Sequence, residues 1–448
     1  MNDLADDLAS LVRGLDPGAP ALIGGDGDVV TWGSLTALAR RQQGQRMRTV
    51  VETRGAAQAS VVAVLSALAS GDVVTMPHPR WPTSMASEAL ARAGAGRPVP
   101  TSWPMGSATL LFSSGSTGRP KAVLHTLRAH VESARGAAAR VPFGPGDRWL
   151  LSLPLCHVGG LAILMRALVG GAAVALPNVG RVVDDVVAQR PTHLSVVTVQ
   201  LRDILASADA TAALRANAKA ILVGGGPVSQ ALMARARGAG LPVRQTWGLT
   251  ELASQVCTSD VDDDDTCGLP LPGRIVEVDA TGELLAGGDT LMAGVVDGDV
   301  LTPPPPLLPT GDVGVRTPRG FCVLGRTDGM FISGGENIHP EAVERALGDH
   351  EIVVVCVGLA DDRYGARPFV FYDAPALDDD DAVNRLRARA ERSLPRFMHP
   401  RALARLPNTT ATKPSRRELA ALAEAFAYAT GDERTSGAFV EASSTLGG

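Results

Sequence analysis

The sequence predicts an α/β fold, with a large N-terminal domain of wound, mainly parallel sheets and a small α+β domain at the C-terminal end. Up to Gly282, short runs rich in Val, Ile and Leu alternate with Ala-rich stretches of helical length. Strands separated by helices in this way form mainly parallel sheets. After Gly282 the strand-like runs are shorter and predict a small antiparallel region, and a compact α+β pattern follows Gly325.

In the first part, predicted helices and strands alternate along the chain. The predicted strands are Val73–Met76, Leu150–Leu155, Ala172–Leu176, His193–Val199, Ala220–Val223 and Pro242–Gln245. The predicted helices are Val61–Ala69, Gly160–Leu168, Val182–Gln189, Leu201–Ala206 and Ser229–Gly238. Ligands of wound parallel sheets bind at the carboxyl ends of the strands, so the turns after these strands are candidate binding segments.

The later elements predict a second domain. Strands are expected at Glu283–Leu285, Thr290–Val296, Ile352–Gly358 and Pro368–Tyr372, and helices at Pro340–Leu347 and Asp381–Leu394. Pro303–Pro306 predicts a stiff surface loop, and the acidic run Asp262–Asp265 predicts a solvated loop. We place the domain boundary near Arg326–Asp328, which gives domains 1–327 and 328–448, with a frayed tail after Ala425.

Composition excludes several classes of protein. A chain of 448 residues, 45% hydrophobic, is long enough for more than one core. The net charge of −5 argues against a general nucleic-acid or membrane-surface role. The apolar stretch Trp149–Pro177 is interrupted by Pro154, His157 and Arg166, which argues against a membrane span. Five scattered cysteines and an acidic N-terminus favour a cytoplasmic protein with reduced thiols.

The most informative segment is a polar loop directly after the apolar run Ala108–Phe112. Its hydroxyls, glycines and cation are Ser113, Ser114, Gly115, Ser116, Thr117, Gly118 and Lys121. Glycine permits close backbone approach, so N–H groups, hydroxyls and an ammonium can converge on phosphate oxygens. This is not a Walker A loop, because the G-x-x-x-x-G-K-[S/T] spacing is absent and Lys121 follows a proline. The alternative is a solvated Ser/Gly turn.

Two further segments follow predicted strands. The first contains Thr246, Trp247, Gly248, Thr250 and Glu251, and the second contains Gly224, Gly225 and Gly226. An aromatic plane can cover a purine, and a carboxylate can hold Mg²⁺, which prefers oxygen ligands. Bare glycine backbone lets a flat base lie close. Each segment alone is also typical of a structural turn.

Two more polar segments lie further along the chain. Asp312 can accept hydrogen bonds from two ribose hydroxyls, and Arg326 can add a donor. An ordinary turn with a surface ion pair is the alternative. Lys413 lies in the small polar loop Asn408–Lys413, where a single lysine is normally a solvated surface charge.

In this order, these segments resemble the acyl-adenylate-forming superfamily from Ala108 to Leu419. Gly325–Asp328 and Gly334–Asn337 complete the set. Three strings are most similar to the o-succinylbenzoate–CoA ligases of menaquinone biosynthesis, namely Pro154–Leu161, Thr250–Gln255 and Ile332–Pro340.

The resemblance implies a ligase that uses ATP, Mg²⁺ and CoA. A carboxylic acid would attack the α-phosphate to give an acyl-AMP, and the CoA thiol would then displace AMP. Lys413, Glu251 and His157 are the implied catalytic residues, and Glu251 is the implied Mg²⁺ ligand. The polar loop would hold the β- and γ-phosphates, Asp312 and Arg326 the ribose, and Trp247 with the three glycines the adenine.

The second step implies a mobile C-terminal domain. It would pivot at Asp328, withdraw Lys413 and bring Gly334, Gly335 and Glu336 to a pantetheine channel. The implied acyl pocket is lined by His157, Thr198, Ser254 and Gln255. A second carboxylate on the acid would need a cation, for which Arg166 and Arg244 are alternatives.

Departures from the superfamily pattern leave alternatives open. Ala122 stands where glycine is common, Trp247 where tyrosine is usual, and Thr412 and Pro414 flank Lys413. The acid could be another aromatic or aliphatic one, or the acceptor a carrier protein. A luciferase-like oxidase, a nucleotide-binding relic and a P-loop ATPase fit less well. Oligomeric state stays open, with a homodimer among the alternatives.

Overall fold

The structure is a computed structural model. It describes residues 8–24, 27–38, 45–114, 120–178, 181–226, 228–263, 266–327, 329–334, 336–361, 363–407, 416–429 and 440–441.

The strands are β1 (Pro20–Ile23), β2 (Val29–Thr31), β3 (Arg48–Val50), β4 (Val73–Thr75), β5 (Ser107–Ser114), β6 (Pro120–Thr126), β7 (Arg148–Leu150), β8 (Ala173–Ala175), β9 (His193–Val196), β10 (Ala220–Val223), β11 (Val243–Leu249), β12 (Ser254–Thr258), β13 (Arg274–Val278), β14 (Glu283–Gly288), β15 (Gly294–Asp297), β16 (Val300–Thr302), β17 (Leu307–Thr317), β18 (Gly320–Arg326), β19 (Phe331–Ser333), β20 (Glu336–Ile338), β21 (Val353–Asp361), β22 (Gly365–Asp373), β23 (Ala402–Arg405) and β24 (Val440–Glu441).

The helices are α1 (Leu8–Arg13), α2 (Trp32–Leu38), α3 (Ala57–Ala69), α4 (Thr83–Arg92), α5 (Leu127–Arg140), α6 (Val158–Gly170), α7 (Val182–Gln189), α8 (Thr198–Ala206), α9 (Ala208–Asn217), α10 (Gln230–Gly238), α11 (Pro340–Leu347), α12 (Asp379–Ser393) and α13 (Arg416–Ala429). Single 3₁₀ turns lie at Thr250–Leu252 and Arg396–Met398.

Two large sheets contain most of the parallel pairs. The eight-stranded sheet has the order β12-β11-β10-β9-β7-β8-β1-β2, and its pairs are parallel except at the two edges. The six-stranded sheet has the order β16-β15-β6-β5-β4-β3, with parallel pairs only among β3, β4 and β5. The predicted wound, parallel-rich architecture is confirmed.

The remaining sheets are largely antiparallel. A four-stranded sheet β13-β14-β17-β18 forms the small antiparallel region predicted after Gly282. The last sheet, β20-β19-β22-β23-β24 with β21 beside β22, packs with α11, α12 and α13 as the α+β unit. The predicted mixed fold class is therefore confirmed, including its last unit.

The largest hydrophobic core holds the end of β7 in position. There the chain leaves the sheet and continues into α6. Trp149 of β7 is fully buried, and the ring of Phe143 meets it edge-on at a centroid distance of 5.1 Å. The buried face of α6 packs into the same cluster. Gly171, with φ of +67°, ends the helix in the left-handed conformation that glycine adopts without strain. This packing fixes the start of α6 beside the sheet.

Several element predictions need correction. The strand predicted at Leu150–Leu155 ends at Leu150, because Pro154 and the turn before α6 leave the sheet. The strand predicted to end at Gln245 continues to Leu249, so Trp247 lies within a strand and not after it. There β11 gains an antiparallel partner, β12, which extends the pairing.

The acidic loop and the tail also differ from expectation. Asp263 is buried and not solvated. Its carboxylate accepts hydrogen bonds from the backbone N–H and the hydroxyl of Thr266. Asp262 is exposed as predicted, and positions 264 and 265 lie outside the described residues. Helix α13 continues to Ala429, and β24 pairs with β23, so the chain after Ala425 is not frayed throughout.

Among the described residues, none of the helices is both long and apolar enough to cross a bilayer. All five cysteines are free thiols, and four of them are buried.

Candidate active site

The polar loop joins two antiparallel strands of the six-stranded sheet. Ser113 at the end of β5 pairs in register with Lys121 of β6. The Ser113 hydroxyl donates a hydrogen bond to the Glu251 carboxylate at 3.2 Å. Residues 115–119, which include Gly115, Ser116, Thr117 and Gly118, lie outside the described part of the chain. The base of the loop is therefore placed against Glu251.

Glu251 lies on the 3₁₀ turn that follows β11. The imidazole Nε2 of His125 donates to the backbone carbonyl of Thr250 at 2.8 Å, which holds the start of this turn. Burial lowers the pKa of His125 to about 4, so its ring is neutral near pH 7. Ala253 and Ser254 then adopt φ of +50° and +104°, a rare conformation for non-glycine residues. The sharp reversal directs the chain back as β12.

Trp247, Asp312 and Arg326 form one connected group. The indole N–H of Trp247 donates to one Asp312 oxygen at 2.7 Å, and an Arg326 guanidinium nitrogen lies 3.1 Å from the other. Asp312 faces Arg326 across the β17–β18 pair. Trp247 and Asp312 are each only 7% exposed, whereas Arg326 is exposed. The carboxylate is thus oriented by two donors, one buried and one near solvent.

The glycine turn after β10 lies close to the next strand. A Cβ at Gly224 would lie 2.8 Å from Thr246, and Gly225 has φ of +79°. Both positions therefore favour glycine for steric reasons. Gly226 is exposed. The Gln255 amide donates to Thr258 at 2.7 Å and to Thr246 at 3.4 Å, so Thr246 links the glycine turn to β12.

Arg166 is a buried cation on α6. Its guanidinium donates to the Gln255 side-chain oxygen and lies 4.7 Å from the centre of the Trp149 ring. Burial, and to a lesser degree the nearby Arg274, lowers the pKa of Arg166 to about 9. Arg244, the other arginine of interest, lies 3.5 Å from a carboxylate oxygen of Asp260.

His157 precedes the first turn of α6 and is exposed. The ring of His78, on the loop after β4, lies 5.1 Å from it between centroids. Desolvation lowers the pKa of both histidines, and their mutual repulsion adds to the effect at His157. The neighbouring Cys156 is buried, which raises the pKa of its thiol to about 11.

The remaining predicted residues lie on other elements or outside the described residues. Gly334, with φ of +60°, and Glu336 belong to the β19–β20 hairpin, and Gly334 donates to the backbone of Tyr364 in the C-terminal unit. Thr198 begins α8, and Ser254 is buried at the start of β12. Asp328, Gly335 and Lys413 fall outside the described residues.

Sequence reasoning missed two residues near these segments. His125 supports the Glu251 turn, and its only signal was a histidine in the otherwise apolar run of β6. His78 faces His157 from a loop between prolines and had no motif to indicate it. The geometry as a whole brings the base of the polar loop against the Glu251 carboxylate and orients the Asp312 carboxylate with two donors.

Comparison with known proteins shows which family the chain resembles in sequence and fold. Residues 34–296 match the AMP-binding enzyme family. The chain is 37% identical over 268 residues to the 2-succinylbenzoate–CoA ligase of Salmonella typhimurium, covering 58% of this chain and 56% of that protein. It is 32% identical over 338 residues to the 2-succinylbenzoate–CoA ligase of Bacillus pumilus, covering 70% and 68%.

A solved structure extends the similarity to nearly the whole fold. A variant of E. coli MenE with bound OSB-AMS superposes with a TM-score of 0.81 at 26% identity, covering 95% of this chain and 99% of that one. The sequence match to the Salmonella relative spans only 56% of that protein's length. With the family match covering more than half of its residues, this chain belongs to the AMP-binding enzymes.

Proposed function

We propose that this protein is an ATP-dependent acid–thiol ligase that acts on 2-succinylbenzoate. The acid carboxylate attacks the α-phosphate of ATP, forming acyl-AMP and releasing pyrophosphate. The CoA thiol then attacks the acyl carbonyl, forming the thioester and releasing AMP. The observation that carries the proposal is the gathering of Ser113, Glu251, Trp247 and Asp312 in a fold whose named relatives are 2-succinylbenzoate–CoA ligases.

The nucleotide would lie across the ends of β5, β10 and β11. The Ser113–Lys121 loop would hold the outer phosphates, because its base already faces a carboxylate that can share a cation with them. Asp312 faces the exposed Arg326, and its carboxylate together with this guanidinium would bind the ribose hydroxyls. Trp247 is enclosed, so its part here is to orient Asp312, and the glycine turn at 224–226 would leave room for the base.

The donor set beside the phosphate loop fits Mg²⁺. The Glu251 carboxylate and the Ser113 hydroxyl are oxygen donors 3.2 Å apart, and Mg²⁺ prefers oxygen ligands. When bound, Mg²⁺ would reduce the charge repulsion between ATP and the incoming carboxylate. Lys413 would supply the second positive charge, at the α-phosphate and the substrate carboxylate.

The choice of acid rests on the named relatives and on a buried cation, Arg166, that would bind a second carboxylate. A second carboxylate requires a positive charge, and Arg166 donates to neutral Gln255, whereas Arg244 faces Asp260. Arg166 is therefore the better candidate of the two. His157, Thr198, Ser254 and Gln255 would line the path from Arg166 to the reacting carboxylate.

We further propose domains 1–327 and 328–448, with the pivot at Asp328. Arg345 of α11 donates to the carbonyls of Val323 and Leu324, at 3.1 Å and 2.6 Å, so a domain rotation would exchange this contact for another. After rotation, Gly334, Gly335 and Glu336 would lie at the CoA channel. The free, mostly buried thiols are in keeping with a cytoplasmic protein.

Acid-dependent exchange of labelled pyrophosphate into ATP tests the first step. 2-Succinylbenzoate should support exchange, whereas phthalate, benzoate and aliphatic acids should support much less. Adding CoA should then give the thioester, and a carrier protein should not replace CoA. Exchange with none of the acids would refute adenylation altogether. Exchange with a different acid would keep the adenylation chemistry and overturn the assigned substrate.

A further inference from the structure

His78, Cys156 and His157 form a cluster of metal-ligating side chains apart from Glu251. One donor atom from each of the three lies within 4.8 Å of the other two. The thiol is buried, one ring is half-buried and the other is exposed, so the cluster is open on one side.

The three side chains come from two different sheets. His78 follows β4 of the six-stranded sheet, and Cys156 with His157 lies between β7 of the eight-stranded sheet and α6. The packing of α6 and of β4 holds both backbones in place, since each element is largely buried. The imidazole planes are inclined by 50°, so the rings are not stacked face to face. Such a cluster is preorganised by the fold and needs no folding of a free loop.

We propose that His78, Cys156 and His157 bind Zn²⁺ as a three-ligand site with its fourth position open to water or an external ligand. Zinc sites with two histidines and one cysteine use Zn–N distances of about 2.0–2.1 Å and a Zn–S distance of about 2.3 Å. Tetrahedral donors are then about 3.3–3.6 Å apart. The donor atoms lie within 4.8 Å of one another, so each must move by about 1 Å to reach this separation. A side-chain rotation of the exposed His157 ring can supply such a movement.

The donor types favour Zn²⁺ over Mg²⁺. A thiolate and two imidazoles suit Zn²⁺, whereas Mg²⁺ requires oxygen ligands and would bind instead at the Glu251 position. Zn²⁺ binding releases the thiol proton of Cys156 to solvent, so the bound thiolate offsets one of the two positive charges. The other groups near His78 oppose binding modestly. Arg80 lies nearby as a positive charge, and the hydrogen bond that its backbone N–H donates to His78 Nδ1, at 3.1 Å, must be given up.

The proposed zinc site lies beside the strand that leads into the polar loop. The Trp81 ring lies beside the rings of His78 and Phe112, with centroid distances of 6.2 Å and 5.4 Å. Phe112 directly precedes Ser113 of the polar loop. A bound ion would therefore join the two sheets next to the phosphate-loop strand. The proposed zinc site shares His157 with the implied acyl pocket but does not depend on the ligase activity.

Titration of the chelator-treated full-length protein with Co²⁺ tests the site without relying on activity. We expect one equivalent to give visible d–d bands of tetrahedral intensity and a near-ultraviolet thiolate-to-cobalt band, both removed by one equivalent of Zn²⁺. Cys156→Ser should abolish the thiolate band. His78→Asn should retain that band but weaken Co²⁺ and Zn²⁺ affinity by about tenfold or more. Zn²⁺ should also raise the Tm of the wild type, because the ion joins two sheets.

Two matched variants serve as controls. Cys322→Ser changes a half-exposed cysteine on β18, and His350→Asn changes a histidine beside Glu351, and both should leave the spectra and affinities unchanged. If Cys156→Ser fails to fold, Cys156→Ala provides the same comparison. No thiolate band in the wild type, or a band that persists without Cys156, would overturn the proposal.

Discussion

Ser113 and Glu251 are separated by 138 positions in the sequence, yet the Ser113 hydroxyl donates to the Glu251 carboxylate at 3.2 Å. The contact joins the last part of β5 to the turn after β11, and so it connects the two large sheets. A carboxylate held at the base of a phosphate loop can share a cation with the phosphates. The two segments thus meet although they belong to different sheets.

Glu251→Gln should lower the rate of pyrophosphate exchange by about 10²–10³-fold, because the amide keeps the shape but loses the charge that holds Mg²⁺. Raising the Mg²⁺ concentration should recover part of the loss. Glu277→Gln, on the exposed face of β13, is the matched control and should behave as the wild type. Full activity of the Glu251 variant would remove this carboxylate from the metal site.

Asp312→Asn should raise the KM for ATP by about tenfold or more, since one acceptor for the ribose hydroxyls is lost. The same change leaves the Trp247 N–H facing an amide that can still accept, so the fold should persist by circular dichroism. Asp297→Asn, at an exposed ion pair with Arg92, should leave the KM unchanged. An unaltered KM for ATP in the Asp312 variant would contradict ribose binding there.

Arg166→Gln should raise the KM for 2-succinylbenzoate by about 10–100-fold and leave the KM for ATP near its original value. The reason is the loss of a buried cation that donates to the Gln255 side-chain oxygen. Steady-state kinetics with both substrates would separate the two constants. Arg244→Gln, which removes a partner of Asp260, is the comparison that should change neither. The reverse pattern would assign the second carboxylate to Arg244.

Lys413→Ala and Asp328→Pro should affect different half-reactions. The lysine variant should lose acyl-AMP formation by about 10²–10³-fold but still convert supplied acyl-AMP and CoA into thioester. The proline variant should form acyl-AMP and lose thioester formation, because a fixed φ prevents rotation at the pivot. Rapid-quench measurement of each half-reaction gives the answer. Equal loss of both steps in Asp328→Pro would argue against a hinge at this position.

The free energy of unfolding should fall as the pH drops from about 6.5 to about 4. Burial lowers the pKa of His125 and His193 to about 4, from an ordinary value of 6.5. In this interval the unfolded chain binds protons that the folded chain excludes, and each histidine contributes a slope of up to about 1.4 kcal/mol per pH unit. Above pH 6.5 both states are neutral at these positions, so the contribution to the slope disappears.

Urea unfolding at a series of pH values would measure this dependence. His125→Asn, whose amide can still donate to the Thr250 carbonyl, should reduce the slope by the share of one histidine. His350→Asn, at a half-exposed histidine beside Glu351, should not change it. An unchanged slope in His125→Asn would mean that this ring is protonated in the folded protein as well.

Helices and strands with clear local signals were predictable. The bounds predicted for α7 and α11 are those observed, since α7 alternates apolar and acidic residues and Pro340 marks the first turn of α11. Helix α5 was missed. Its residues are rich in Ala and Arg, and Gly136 interrupts the pattern because the helix lies against Arg274 and Pro272 there. Contacts of that kind depend on distant segments.

Contacts between distant segments also limit what the sequence can predict about the candidate site. The motif residues Glu251 and Asp312 could be named from the sequence, because their segments resemble a known family. Their partners could not be named. His125 meets the Thr250 carbonyl across 125 positions, and the Trp247 indole meets Asp312 across 65. These pairings arise from the packing of β6, β11 and β17, which local patterns do not encode.

Trp247 is one of five tryptophans, and its N–H ends on the carboxylate proposed to bind ribose. A nucleotide that competes for this carboxylate changes the polar surroundings of the indole. Intrinsic fluorescence is sensitive to such a change. Under the proposed ribose contact of Asp312, the fluorescence of Trp247 would report nucleotide occupancy during turnover without any label.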